Sequence, residues 1–243
     1  MTAVAVIPAR YASTRLPGKP IVDIAGKPMI RHVYERTERA STISRTIVAC
    51  DDERIRDAVL AFGGEAIMTS PDCRSGTDRA AEAMRDIGAD IIANVQGDEP
   101  LIDPDDIDLV VSALRDDPSC VMSTAMHAIT REEDLDDPSC VKVVVDRGGY
   151  ALYFSRSRIP FCRGAKAIEE QPVYRHLGLY AYRRDFLFTY AELEETPLQV
   201  AEALEQLRAL ENGYRIRCLL TTNEAIGVDT PEDLERVRRM LEH

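Results

Sequence analysis

Val4-Ala-Val-Ile-Pro-Ala-Arg-Tyr-Ala-Ser-Thr-Arg-Leu-Pro-Gly-Lys-Pro20 is the stretch around which the chain is organised. The apolar run from Ala3 to Ile7 has the length of a buried strand, and Pro8 is expected to break it into a loop. That loop holds Arg10, Arg15 and Lys19, small side chains at Ala12, Ser13 and Thr14, and Gly18. Three cations and several unobstructed backbone N–H groups suit a polyanion such as phosphate. A strand ahead of the loop would hold it at the carboxyl edge of a sheet, where open α/β folds bind ligands. A basic surface loop is the plainer reading of the same spacing. The loop matches neither the Gly-x-x-x-x-Gly-Lys-Ser/Thr nor the Gly-x-Gly-x-x-Gly pattern.

Outward from this stretch, apolar strands alternate with amphipathic helices. Pro28 starts a helix with Met29, Ile30, Val33, Tyr34 and Thr37 on one face, and Thr46 to Ala49 reads as a second buried strand. Asp51-Asp52 caps a helix carrying Ile55, Ala58, Val59 and Phe62, which Gly63-Gly64 stops. A short strand over 66–68 leads to Ser75-Gly-Thr77 ahead of a helix running to about Gly88, where free N–H groups suit a polar ligand or simply a good cap. Ile91 to Val95 is the next strand. This rhythm predicts an α/β fold with a doubly wound, mostly parallel sheet. From Cys120 onward it changes: strands are expected over 121–126, 141–146, 150–154 and 176–182, with a hairpin turn at Arg147-Gly-Gly149. A loop over 160–173, helices over 184–194 and 197–212, a strand over 216–221 and a helix beginning at Thr230-Pro231 complete the reading. No Pro-, Gly- or Ser-rich linker divides the chain. One domain spanning 1–243 is therefore expected, with 120–182 a β-rich excursion within it.

The 243 residues carry a net charge of −12, which argues against a nucleic-acid or membrane surface and makes a concentrated basic loop more informative. No apolar run is long enough to span a membrane and no signal-peptide pattern opens the chain, so a cytoplasmic protein is expected. The six cysteines lack metal-ligand or framework spacing and are expected to be free thiols. Asp-Asp-Pro-Ser-Cys recurs at 116–120 and 136–140 without wider similarity, so it does not indicate a repeat.

Asp98, in Gln96-Gly-Asp-Glu-Pro100 directly after a buried strand, is the first candidate metal ligand, its plain alternative being a polar turn. Asp229, in Ile226-Gly-Val-Asp-Thr-Pro-Glu232, is the second, its plain alternative being a helix cap. A basic cradle with two carboxylates supplies the parts of metal-assisted nucleotidyl transfer.

Six motifs in order along the chain, Val6 to Pro20, Asn94-Val-Gln-Gly-Asp-Glu-Pro100, Ala151-Leu-Tyr-Phe-Ser-Arg156, Arg175-His-Leu-Gly178, Leu204-Glu-Gln-Leu-Arg208 and Val228-Asp-Thr-Pro-Glu-Asp-Leu234, resemble the 3-deoxy-manno-octulosonate (KDO) cytidylyltransferases. The resemblance covers nearly the whole chain. It implies a Rossmann-like nucleotidyltransferase that uses Mg²⁺ to join CTP and KDO into CMP-KDO and pyrophosphate for lipopolysaccharide biosynthesis, as a homodimer, with 120–182 as the sugar-binding and dimerisation part. It implies that Arg10 and Lys19, with Arg15, neutralise the triphosphate, that Asp98 and Asp229 hold the metal, and that Ser75, Gly76, Arg79 and the backbone at Pro8 and Ala9 position the nucleotide. It places Gln96, Arg156, His176, Tyr180, Glu205 and Gln206 at the sugar. The sequence departs from the family around 161–171, where Phe161 replaces a common Trp and the loop is short, so a related acid such as 8-amino-KDO is an alternative acceptor. A catalytically silent nucleotide-binding module is the reading from another class; Arg10, Lys19, Asp98 and Asp229 together count against it.

Overall fold

The computed structural model describes residues 1–12, 16–163, 172–224 and 226–241. Arg15 and most of the expected 160–173 loop lie outside the described residues.

Strand β1 (Ala3–Ala9) sits at the centre of a nine-stranded sheet. It pairs in parallel with β4 (Ile43–Cys50) on one side and with β6 (Ile91–Asn94) on the other, and β5 (Ala66–Met68) extends the sheet beyond β4. Ala3, Ala5, Ile7 and Ala9 face one apolar layer while Val4 and Val6 face the other, so β1 reads as a continuous apolar run because both faces are covered. The strand does not end at Pro8 as expected. The ladder to β4 continues through Pro8 and Ala9, whereas the ladder to β6 has finished at Val6, so the missing proline N–H costs no partner there.

Beyond β6 the order is β10 (Tyr174–Arg183), β7 (Met122–Ala128) and β11 (Ile216–Thr221). Only β10 runs against the other strands of this path, being antiparallel to both β6 and β7 while β11 is parallel to β7. The sheet is therefore mostly parallel and mixed, and strand order reverses at β1, which puts a crevice at its carboxyl end. The 120–182 stretch supplies β7 and β10 to this central sheet. Its hairpin of β8 (Lys142–Val145) and β9 (Ala151–Ser155) hangs from the start of β10. A small ribbon of β2 (Asp23–Ile24) and β3 (Lys27–Pro28) lies outside the main sheet.

On one face pack α1 (Met29–Thr37), α2 (Glu53–Ala61) and α4 (Pro104–Asp116); on the other pack α3 (Gly76–Ala83) and α6 (Arg184–Glu192). The sequence reading assigns no element to 104–116. Its signals are nonetheless present: Asp103 accepts from the Asp105 N–H, Pro104 occupies the first turn, and Ile107, Val110, Val111 and Leu114 are buried at helical spacing. A one-turn helix, α5 (Glu133–Asp136), also went unread. The single helix expected over 197–212 is two, α7 (Pro197–Glu202) and α8 (Leu207–Glu211), because Ala203 adopts a left-handed conformation (φ 50°) between them. The helix expected to reach Gly88 ends at Ala83. Helix α9 (Pro231–Leu241) closes the fold by packing Leu234 and Val237 against Ile24, Met29 and Val228.

Asp108 on α4 fastens the turn before β4. Its two carboxylate oxygens accept from both the backbone N–H and the hydroxyl of Ser41 and of Thr42, at 2.6–2.9 Å. Burial works against the charge of Asp108, but these four bonds outweigh it and hold its pKa below the ordinary value of 3.8. A depressed native pKa means stability present above the unfolded value and lost as pH falls through the native one. Asp108→Ala is expected to cost about 2–3 kcal/mol, because hydrogen bonds to a charged group are lost and donors are left unpaired. Denaturant unfolding near pH 7 checks this. The difference between wild type and variant should shrink below pH 3.8.

Candidate active site

The carboxyl end of β1 delivers Pro8, Ala9 and Arg10 to the switch-point crevice. The chain then turns back: the Gly18 N–H donates to the Tyr11 carbonyl at 3.2 Å, and Gly18 at φ 69° feeds a 3-10 turn over Lys19–Ile21. The Tyr11 N–H is held by Asp51 at the end of β4. These elements enclose a cavity of about 360 Å³ whose walls include Pro8, Ala9, Arg10, Lys19, Gly76, Gln96, Asp98 and Asp229. Two glycines make it possible. A Cβ on Gly97 would lie 2.8 Å from the Pro8 carbonyl oxygen, and one on Gly76 would lie 3.2 Å from the Pro8 ring.

Asp98 follows β6 and Asp229 precedes α9, and one backbone bond brings them together: the Val228 N–H donates to the Asp98 carbonyl at 2.8 Å. Asp229 is not the helix cap. Thr230 and Asp233 exchange that role, Thr230 Oγ1 accepting from the Asp233 N–H while Asp233 accepts from the N–H groups of Asp229 and Thr230. Between the two acids lies Lys19, its Nζ 2.6 Å from Asp98 and 3.1 Å from Asp229. Burial disfavours the ammonium, but the two carboxylates outweigh it and raise its pKa. Asp98 and Asp229 are thus spaced to share one cation. Among the described residues no group of three or more His, Cys, Asp or Glu is placed to hold a metal. A divalent ion here would take two carboxylates and complete its shell with phosphate and water, a donor set that fits Mg²⁺.

The remaining nucleotide-side residues divide. Arg10 lines the cavity and donates to the Cys73 carbonyl at 3.0 Å. Ser75 caps α3 by accepting from the Asp78 N–H. Arg79 is not among the lining residues. It is fully buried, donating to Thr69 Oγ1 at 2.5 Å and to Asp51 at 3.2 Å, so it braces the Asp51 that holds Tyr11. The Cys73 thiol, pushed up to about 11 by burial and Glu82, is no nucleophile at neutral pH.

The sugar-side residues converge on β10 and the α7–α8 turn. Gln96 donates to the Gly178 carbonyl at 3.0 Å. His176 and Tyr180 share a face, ring centroids 5.3 Å apart, with Phe154 edge-on to the imidazole at 5.0 Å. A His176 ring nitrogen lies 2.9 Å from Thr124 Oγ1. Burial pushes His176 down to about 3 and Tyr180 well above its ordinary value, so both are neutral hydrogen-bonding groups at working pH. Glu205 and Gln206 lie in the turn between α7 and α8 and not on a continuous helix. Glu205 accepts from Ser75 Oγ at 3.0 Å and from Arg208 at 3.2 Å, joining a residue expected at the nucleotide to one expected at the sugar. Gln206 is buried, and its Nε2 has no hydrogen-bond partner among the described residues. Arg156 donates to three backbone carbonyls, of Glu202, Ala203 and Pro138. A larger cavity of about 540 Å³ includes Arg175, His176 and Gly178 and shares Asp98 and Asp229 with the first, so the two acids form a wall common to both.

A cytidylyltransferase family model matches residues 4–216. The chain is 54% identical over 249 residues to the 3-deoxy-manno-octulosonate cytidylyltransferase of Geobacter sulfurreducens, covering 99% of this chain and 100% of that one. It is 53% identical over 248 residues to the enzyme of that name from Syntrophotalea carbinolica, covering 99% of each. It superposes with a TM-score of 0.94, at 50% identity and covering 100% of this chain and 99% of the other, on a solved CMP:2-keto-3-deoxy-manno-octonic acid synthetase complexed with CTP. The chain belongs to the 3-deoxy-manno-octulosonate cytidylyltransferase family.

A cytidylyltransferase from Leptospira borgpetersenii, at 17% identity and a TM-score of 0.65, shares the fold alone. In the smaller cavity, Ala12, Pro20 and Gly97 are lining residues that the sequence reading does not number among its binding residues. Glu99 and Arg175 in the larger cavity are likewise unread. Burial, with Asp98 beside it, pushes the Glu99 carboxyl up to about 8, and its Oε2 has no hydrogen-bond partner among the described residues. An acid pair at the end of a buried strand was the signal that could have found Glu99.

Proposed function

We propose that the chain transfers CMP from CTP to the anomeric hydroxyl of KDO, releasing pyrophosphate, in lipopolysaccharide biosynthesis. The observation that carries this reading is the Asp98–Lys19–Asp229 cluster at the lip of a cavity built from the end of β1, in a chain of this family. Arg10 and Lys19, with Arg15, neutralise the triphosphate and the departing pyrophosphate. Pro8, Ala9, Ser75 and Gly76 position the nucleotide from the cavity wall and the start of α3, and Arg79 acts behind them through Asp51. Asp98 and Asp229 would hold Mg²⁺, whose charge would lower the pKa of the acceptor hydroxyl and offset that of the phosphates. Gln96, His176, Tyr180, Glu205 and Gln206 present neutral or hydrogen-bonding groups to the sugar hydroxyls. Arg156, with two of its five N–H groups still unpaired among the described residues, meets the sugar carboxylate. The acceptor oxygen attacks the α-phosphorus in line, without a covalent enzyme intermediate.

A homodimer formed through the 120–182 part completes the proposal. Exposed Leu152 on β9 supplies apolar surface there, and sedimentation at working concentration measures the state. No helix among the described residues is long and apolar enough to cross a membrane. Six free cysteines, four of them buried, support a reducing, cytoplasmic setting. Pyrophosphate release with CTP, Mg²⁺ and KDO, run beside 8-amino-KDO, other sugar acids and other nucleoside triphosphates, tests the reading. Turnover greatest with CTP and KDO is expected. Greater turnover with the 8-amino acid transfers the assignment to that acceptor, and none with any sugar acid sinks the enzymatic reading.

A further inference from the structure

Glu202, the last residue of α7, has no place in the site described so far, yet it joins two of its parts. Its Oε1 accepts from Ser155 Oγ at 2.6 Å and, more loosely, from Tyr153 OH at 3.4 Å; its Oε2 accepts from the Arg156 N–H at 2.9 Å. The contact is reciprocal. The Arg156 guanidinium donates back to the Glu202 carbonyl at 2.8 Å and to the Ala203 carbonyl at 3.2 Å. Each side chain therefore grips the other's backbone, and the left-handed turn at Ala203 passes the chain directly into Glu205 and Gln206. A buried cation closes the other side: Lys142, fully inaccessible to solvent, donates to the carbonyls of Arg156 and Asp137 at 2.7 and 2.8 Å.

The end of β9 carries Arg156 and, two residues earlier, the Phe154 ring that packs on His176. The α7–α8 turn carries Glu205 and Gln206. The described hydrogen bonds between these segments run through Glu202 and Arg156. We propose that Glu202 is a positioning residue that sets the spacing between Arg156 and the Glu205–Gln206 turn, and so tunes acceptor binding without touching the acceptor. A misplacement of about 1 Å in a binding constellation can cost on the order of 10²-fold in rate, which is why a single carboxylate in this place matters. The inference rests on the sugar-side reading above.

The test is steady-state kinetics of Glu202→Gln, which keeps the volume but sets an amide N–H₂ against one of the donors that the carboxylate now accepts. The KM for KDO is expected to rise roughly tenfold or more, the size of one lost hydrogen bond to a charged group, while the KM for CTP stays within about twofold. Glu202→Asp, which keeps the charge at shorter reach, should fall between the two. If Glu202→Gln does not fold, Ser155→Ala removes the 2.6 Å bond, together with the one that Ser155 Oγ accepts from the Ser157 N–H, and should show the same split at smaller size. An unchanged KM for KDO, or a rise in both KM values together with a lowered Tm, overturns the inference while leaving the function standing. Absence of wild-type turnover with every sugar acid overturns the functional reading and takes this role of Glu202 with it.

Discussion

Asp98→Ala is expected to lower kcat by on the order of 10²–10³-fold, the loss typical of removing one preorganised group that stabilises transition-state charge. The geometry gives the reason. Asp98 lies on the wall common to two cavities and within 2.6 Å of the Lys19 ammonium, the place where the proposed reading brings nucleotide, acceptor and Mg²⁺ together. The fold should survive, because the β6 loop is tied to the α9 segment by the backbone carbonyl of Asp98 and not by its side chain. CTP binding should also survive, since deleting an anion beside a triphosphate removes repulsion. Calorimetric CTP binding, thermal unfolding and single-turnover kinetics separate these expectations. A kcat within tenfold of wild type would remove Asp98 from the chemistry.

Lys19→Ala is expected to lower kcat/KM for CTP by about 10²-fold with little change in the KM for KDO, because Lys19 belongs to the loop from β1 and lines the smaller cavity, which the proposed function gives to the nucleotide. Two carboxylates hold its pKa above the ordinary 10.5, so Lys19 stays charged through the whole working range. It should contribute no alkaline limb to the pH–rate profile below that value. The variant also removes the ammonium that Asp98 and Asp229 share. Its Mg²⁺ dependence should therefore differ from that of wild type. A rise confined to the KM for KDO would contradict the assignment.

Local signals made the centre of this site readable. β1 is apolar on both faces because both are covered, and Asp98 stands after a strand of the same kind, so each announces itself within a few residues. What escaped depends on partners far along the chain. Arg79 sits in a segment that resembles a nucleotide reader, and only the fold shows its guanidinium buried against Asp51 and Thr69. Arg156 looks like a carboxylate clamp in sequence, and three backbone carbonyls from two other segments hold it in the structure. The break at Ala203 was hidden because alanine gives no warning of a left-handed turn, while Leu204 and Leu207 keep helical core spacing across it. Asp229 illustrates the opposite case: its plain role as a cap falls away once Thr230 and Asp233 are seen to cap α9 themselves.

The bond from the Val228 N–H to the Asp98 carbonyl has a consequence for the life of the chain before catalysis. Lys19 emerges early in synthesis, and its partners are 79 and 210 residues away in sequence. Contacts of such long range form late, after the loops between them have been closed. On the ribosome, a chain that already has its β1 loop and Asp98 still lacks the second carboxylate and the backbone clasp that fixes it. On the proposed reading, competence to use a nucleoside triphosphate would therefore arise only when helix α9 docks, and a chain clipped ahead of Val228 is expected to keep most of the sheet while losing turnover of CTP.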